Sequence, residues 1–300
     1  MSIPRLFPRV LAVASVLLAA TGLLTAAVPA AAVSGTVPTV APAGAGHGAS
    51  YYLSLGDSLS VGVQPDAGGH NQLTDDGYAD QLYARLAESD RRLRLVKLGC
   101  SGETTSTLLD GGICDYGAAG SQLAAAVAFL RAHRGRVELV TIDVGANDIT
   151  PCATPAGIDA ACVVRVLALL SANLTRIMAG LRAVAPHVEI RAMTYYDPFL
   201  AAWLTGPSGQ ALAVASIGLT VVLNATLSGV YLRYGARIVD VQGAFSTTDL
   251  ATQVPGPGGS AIPLAVARIC AWTWMCAPAP VGPNVHANKA GYAVIADAFD

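Results

Sequence analysis

The sequence predicts an α/β fold in which a parallel sheet carries helices on both faces. Two observations predict it. Short β-rich runs alternate with helical patterns along most of the chain, a rhythm that argues for parallel strands joined by helical crossovers. The polar motifs then fall directly after strands, where open α/β sheets place their ligand crevices. Length agrees: 300 residues allow two domains, but α/β folds of this size often form one.

The elements read in order as follows. Tyr51–Leu55 is the first strand, and Tyr78–Glu88 is a helix with Leu82, Tyr83 and Leu86 at apolar spacing. Leu93–Leu98 is the second strand. Gln122–His133 is a helix with Leu123, Val127 and Leu130 on one face. Val137–Val144 is a buried third strand. Cys162–Val184 is a long helix ended before Pro186, and Val188–Met193 is the fourth strand. Gln210–Tyr234 is a second long helix, Ala236–Val241 the fifth strand and Ala287–Phe299 the closing helix. No internal repeat and no second linker occurs, so residues 50–300 read as one domain.

The N-terminus reads as a secretory signal. Arg5 and Arg9 form a positive region, Val10–Ala20 is apolar, Gly22–Ala32 continues with small residues, and Ala30-Ala31-Ala32 supplies a cleavage site. Val10–Val28 is also long enough to span a bilayer, but Pro29 and the Ala run favour cleavage, giving a signal peptide over 1–32. Residues 33–49 are a flexible lead-in of Pro, Ala, Gly, Thr, Val and Ser. The expected location is therefore secreted, with no stable membrane insertion after cleavage. A net charge of −2 and a pI of about 6.2 supply no electrostatic reason for a nucleic-acid partner. The six cysteines, Cys100, Cys114, Cys152, Cys162, Cys270 and Cys276, suit an oxidising compartment. Sequence alone cannot choose among their pairings, though sequential pairing is simplest because it closes short loops. No C-x-x-C occurs and no His stands at ligand spacing from a Cys pair, so no metal is expected.

Four motifs carry candidate chemistry. Gly56-Asp57-Ser58-Leu59 follows strand one, where a hydroxyl can face a cleft. Gly99-Cys100-Ser101-Gly102 follows strand two and is a Gly-rich turn with backbone N–H groups. It lacks the Lys and spacing of a P-loop, so an oxyanion donor from the Gly102 N–H suits it better. Gly145-Ala146-Asn147-Asp148 follows the apolar strand three, where the Asn147 amide can donate to a developing oxyanion. His286, in Asn284-Val285-His286-Ala287-Asn288, stands just ahead of the closing helix, whereas His47, His70, His133 and His187 read as surface. Singly, each motif has an ordinary reading as a cap or a turn. Their joint order does not.

That order resembles the GDSL, or SGNH, hydrolase family, whose Ser, Gly, Asn and His blocks are all present between about residues 50 and 300. The resemblance implies a three-layer α/β/α, flavodoxin-like fold with a five-stranded parallel sheet. It implies Ser58 as nucleophile, His286 as general base, and an oxyanion hole of the Ser58 N–H, the Gly102 N–H and the Asn147 side chain. It further implies a serine ester hydrolase, a lipase or carboxylesterase, acting on small-molecule or lipid esters. That chemistry needs no cofactor, and a monomer is expected. The Trp272-Thr273-Trp274 segment and the six cysteines are similar to exported actinobacterial lipases and esterases of this family. An acyltransferase or a polysaccharide deacetylase would share every residue, and a catalytically silent binding module would be expected to lose one. No G-x-S-x-G elbow occurs, because Ser60 stands where its last Gly would be.

One position departs from the family. An Asp usually precedes the His by three residues, and here that position is Pro283. A main-chain carbonyl can orient an imidazole without charge, so the expected orienter is the Pro283 carbonyl or a neighbour's. Asp197 and Asp240, at strand ends, are the more distant substitutes. Pro198–Leu219, with Trp203 and Leu204, and Pro255–Pro283 are candidates for an acyl-binding wall and lid.

Overall fold

The structure is a computed structural model that describes residues 48–154 and 157–300. The signal peptide expected over 1–32 and nearly all of the lead-in lie outside the described residues. Five strands form one parallel sheet: β1 (Ser50–Gly56), β2 (Leu93–Lys97), β3 (Val137–Asp143), β4 (Glu189–Met193) and β5 (Arg237–Val239). Their spatial order is β2-β1-β3-β4-β5, and every neighbouring pair is parallel.

The strand sequences explain the layering. In β1 every residue from Tyr52 to Gly56 is buried, and in β3 every residue from Leu139 to Asp143. Strands buried on both faces read as continuous apolar runs because helices cover both sides. The helices are α1 (Tyr78–Ser89), α2 (Thr105–Asp110), α3 (Gln122–Ala132), α4 (Ala146–Ile149), α5 (Ala160–Val184), α6 (Pro207–Arg233), α7 (Val241–Ala244), α8 (Leu264–Trp272) and α9 (Lys289–Phe299). On one face α1 packs on α9, with α7 and α8 against α9. On the other, α5 lies between α3 and α6. The expected three-layer, five-stranded fold is what the chain adopts.

Side-chain caps set where α3, α5 and α9 begin. The Ser121 hydroxyl accepts from Ala124 N, the Asp159 carboxylate from Cys162 N and the Asn288 amide oxygen from Gly291 N. Each satisfies an orphan N–H of a first turn. Four helices go beyond the sequence reading: α2, α4 and α7, too short to show a period, and α8, in the stretch read as wall or lid.

In the order 2-1-3-4-5 the switch point lies between β1 and β3, and the crevice outside the C-terminal strand ends there is where ligands bind. The loops after β1 and β3 carry Ser58 and Asn147.

Candidate active site

The Ser58 loop starts from a backbone that only glycine fits. Gly56 ends β1 at φ +133°, and a Cβ there would lie 2.0 Å from the Asp143 carbonyl oxygen. That carbonyl accepts from Asp57 N (2.9 Å), which turns the chain out of the sheet. Gln122 clamps the turn from α3: its Oε1 accepts from Gly56 N (2.6 Å) and its Nε2 donates to Gly56 O (3.0 Å). The next residues close on themselves. Asp57 Oδ1 accepts from Leu59 N (3.0 Å), the Ser60 hydroxyl donates to Asp57 O (2.7 Å), and Ser58 O accepts from Val63 N (3.0 Å). Ser58 sits at the top of this turn and is 9% exposed. Gly56→Ala is expected to cost ~3 kcal/mol or more, since it adds both a strained φ and a backbone clash. A denaturant melt would measure this.

Below Ser58 lies a buried acid pair. Asp57 and Asp143 are both fully enclosed. Burial, then the neighbouring Asp57 charge, push Asp143 well above the usual carboxylate range. Burial likewise raises Asp57, and two adjacent carboxylates resist ionising together. Asp143 Oδ2 has no hydrogen-bond partner among the described residues. Tyr78 donates to Asp143 Oδ1 (2.6 Å) and Tyr195 to Asp57 Oδ2 (2.7 Å).

The oxyanion candidates come together at the ends of β2 and β3. Gly102 adopts φ +83°, where a Cβ would meet nothing within 4 Å, so backbone conformation and not space selects glycine there. Asn147 lies in the first turn of α4, and its Nδ2 donates to Glu103 O (2.9 Å), the residue after Gly102. Asp148 fastens the same two loops, accepting from Thr105 N (2.9 Å) and the Thr105 hydroxyl (2.5 Å).

His286 lies on the short strand Asn284–Ala287, which pairs antiparallel with Thr273–Trp274. It is 7% exposed, and burial lowers its imidazolium pKa to about 4. Its Nδ1 meets a side chain and not the Pro283 carbonyl expected to accept from it. His286 Nδ1 lies 2.7 Å from the side-chain oxygen of Asn284, which also accepts from His286 N (3.0 Å). The backbone N–H is an obligate donor, so the Asn284 atom facing it must be the oxygen. Nδ1 then carries the proton, and Nε2 keeps its lone pair. Asn284 Nδ2 in turn donates to Asn71 Oδ1 (2.8 Å). An amide side chain thus replaces the carbonyl because its reach back along the strand satisfies ring and backbone at once. Asp197 and Asp240 serve elsewhere, capping the segment Pro198–Thr205 through Phe199 N and α7 through Gly243 N.

Two adjacent tyrosines after β4 tie the Ser58 and His286 loops together. Tyr195 OH holds Asp57, next to Ser58, and Tyr196 OH donates to Val285 O (2.8 Å), next to His286. Tyr292 adds a third tie from α9, donating to Val63 O (2.9 Å). Tyr196→Phe leaves a part-buried carbonyl unpaired and frees the His286 loop. It is expected to lower kcat about tenfold at little change in KM, read from steady-state kinetics. Gln122, Asn284, Tyr195 and Tyr196 escaped the sequence reading; the Asn-x-His spacing was the one local signal available.

Disulfides fasten three loops along this edge: Cys100–Cys114 after β2, Cys152–Cys162 between α4 and α5, and Cys270–Cys276 between α8 and the histidine strand.

Comparison with known proteins agrees with this fold. An extracellular lipase from Streptomyces rimosus superposes at TM-score 0.54 with 20% identity, over 83% of this chain and 100% of that one. The lipase Lip_vut3 from a goat rumen metagenome superposes at TM-score 0.50 with 15% identity, over 83% and 95%. At such identities the likeness is one of fold. No curated protein sequence matches the chain. The profile of the GDSL-like lipase/acylhydrolase family matches residues 54–294, and the chain belongs to that family.

Proposed function

We propose that the chain is a secreted carboxylic ester hydrolase working through an acyl-enzyme on Ser58. One observation carries the reading: Asn284 fixes His286 in the tautomer whose Nε2 is free to accept a proton. In this mechanism His286 Nε2 takes the Ser58 proton as Ser58 attacks the ester carbonyl. The Ser58 and Gly102 N–H groups and the Asn147 amide hold the oxyanion, with Glu103 O aligning the amide. The alcohol leaves with the proton from His286. Water, deprotonated by His286, then releases the acid.

Burial favours this chemistry at neutral pH, because an imidazole with a pKa near 4 is unprotonated and ready as a base. The same burial weakens the imidazolium formed in the transition state. Only the Asn284 dipole offsets it, where a carboxylate would add a charge. Three disulfides support an oxidising compartment, hence export directed by residues 1–32. The test is hydrolysis of p-nitrophenyl esters from short to long acyl chains by the wild type beside Ser58→Ala. Turnover by the wild type alone supports the reading. A folded wild type inert across the series overturns simple ester hydrolysis.

A further inference from the structure

The donors assigned to the oxyanion stand on three separate loops: Ser58 after β1, Gly102 after β2 and Asn147 after β3. Neither the Ser58 N–H nor the Gly102 N–H donates a hydrogen bond among the described residues, so both are open to an acceptor from outside. Donors of this kind hold a developing charge only at a fixed spacing, and a displacement of ~1 Å costs about 10²-fold. The main chain alone ties the first two loops through Cys100 N and Gly56 O (3.0 Å), which stops short of Gly102.

Two buried side chains span the rest. Gln122 is the first residue of α3, which the Ser121 cap starts at that point. Glutamine is mostly exposed in proteins, yet this one is fully buried. Its amide meets both main-chain groups of Gly56, as an adjacent strand would. Its Nε2 also donates to Glu103 Oε2 (2.8 Å). Glu103 follows Gly102 and is 1% exposed. The Glu103 N–H closes a four-residue turn around Gly102 onto Cys100 O (3.1 Å), and the Glu103 carbonyl accepts from Asn147 Nδ2 (2.9 Å). Tyr116 completes the cluster, its OH 2.8 Å from Leu98 O, 3.2 Å from Glu103 Oε2 and 3.1 Å from Gln122 Nε2.

One path of bonds therefore runs from the Ser58 turn through Gln122 and Glu103 to Asn147, and it touches all three donor loops. Aliphatic side chains could fill the same space without the cost of burying an amide and a carboxyl. The polar pair does what aliphatic packing cannot, since each member holds main-chain groups beside an oxyanion donor.

We propose that Gln122 and Glu103 are positioning residues that set the spacing of the Ser58 N–H, the Gly102 N–H and the Asn147 amide, an inference that rests on the esterase reading. The test compares wild type with Gln122→Leu, Gln122→Glu, Glu103→Leu, Glu103→Gln and the double variant Gln122→Leu/Glu103→Leu. Each is assayed on p-nitrophenyl acetate across pH and for inhibition by an alkyl trifluoromethyl ketone, with thermal melts to confirm folding. Ser58 Oγ adds to the ketone carbon, the C=O π bond opens to an oxyanion and the Ser58 proton passes to His286, so the inhibitor reports the oxyanion hole directly.

Gln122→Leu and Glu103→Leu are expected to lower kcat/KM about 10²-fold, mainly through kcat, with the ketone Ki raised by a similar factor. The acid limb of the pH profile should stay at the wild-type pH, because neither residue touches His286. The double variant should fall little further than Gln122→Leu, since the two side chains act in series. Glu103→Gln keeps an acceptor for Gln122 and should recover most of the Glu103→Leu loss. Gln122→Glu keeps its size but loses the amide donors, and should lose about tenfold or more; it carries the test if the leucine variants do not fold. Folded variants at Gln122 and Glu103 with wild-type kcat/KM overturn the proposal. A loss of kcat/KM with Ki unchanged, or with a displaced acid limb, overturns it too, because the effect then lies outside the oxyanion hole. A folded wild type that hydrolyses no ester overturns the esterase reading and this proposal together.

Discussion

Ser58→Ala is expected to lower kcat/KM for a short p-nitrophenyl ester by about 10⁴-fold or more, with the fold unchanged. The magnitude follows from losing the covalent route: what remains is the oxyanion hole and substrate binding, a residue of catalysis seen when a triad member is removed. Stability should move by less than about 1 kcal/mol, because the ties that hold this turn run through the Asp57 side chain and the backbone of residues 56–63. His286→Ala should fall to a similar floor, and the double variant should fall no further, since the two groups act as one unit. Pre-steady-state kinetics with substrate in excess give the sharper reading. Wild type should show a burst of p-nitrophenol followed by a slower steady state if deacylation limits, and Ser58→Ala should show neither phase. Burst kinetics surviving in Ser58→Ala would move the nucleophile to another residue and sink the mechanism.

The architecture was legible because its signals are local. β1 and β3 are apolar runs of the right length, α5 and α6 are apolar stretches too long for a strand, and Gly56, Gly102 and Gly145 stand after strands where a turn must begin. Elements that are short or set among prolines were not legible. The helix α2 spans six residues, and α8 follows Pro255, Pro257 and Pro263, which read as loop. The histidine's partner was missed for a chemical reason. A search for the third member of a triad looks for a carboxylate, and Asn284 satisfies the ring with an amide oxygen whose orientation only the fold fixes. The Tyr195–Asp57 bond joins residues 138 positions apart, and no spacing rule anticipates it. The acid pair is of the same kind: Asp143 ends an apolar strand and looks like a turn residue until Asp57 is seen against it.

Asn284 is where the second large effect is expected. Asn284→Ala removes the acceptor that holds the imidazole, so the ring samples the tautomer with the proton on Nε2 and loses its base. A fall in kcat of about 10²-fold or more is expected, with KM nearly unchanged; misassigning the tautomer in a triad costs about 10⁴-fold. Asn284→Asp separates orientation from charge. Its carboxylate can accept the same two hydrogen bonds, and Asn71 can rotate its amide to donate to it. The added charge favours imidazolium, so the His286 pKa should rise from its burial-lowered value of about 4. The sign then follows. The base works only when neutral, so kcat/KM falls as pH drops through the His286 pKa. Wild type should hold its activity down to about pH 4, below the ordinary histidine value. Asn284→Asp should lose activity at a higher pH and gain kcat on the alkaline side, where its imidazolium is better stabilised in the transition state. Stability moves by the same linkage. With the folded pKa near 4 and an unfolded value near 6.5, the unfolded chain binds the extra proton between them. Wild type therefore loses up to about 3 kcal/mol as pH falls through that window, and Asn284→Asp should lose less. An acid limb at the same pH in wild type and Asn284→Asp would show that Asn284 does not govern the base.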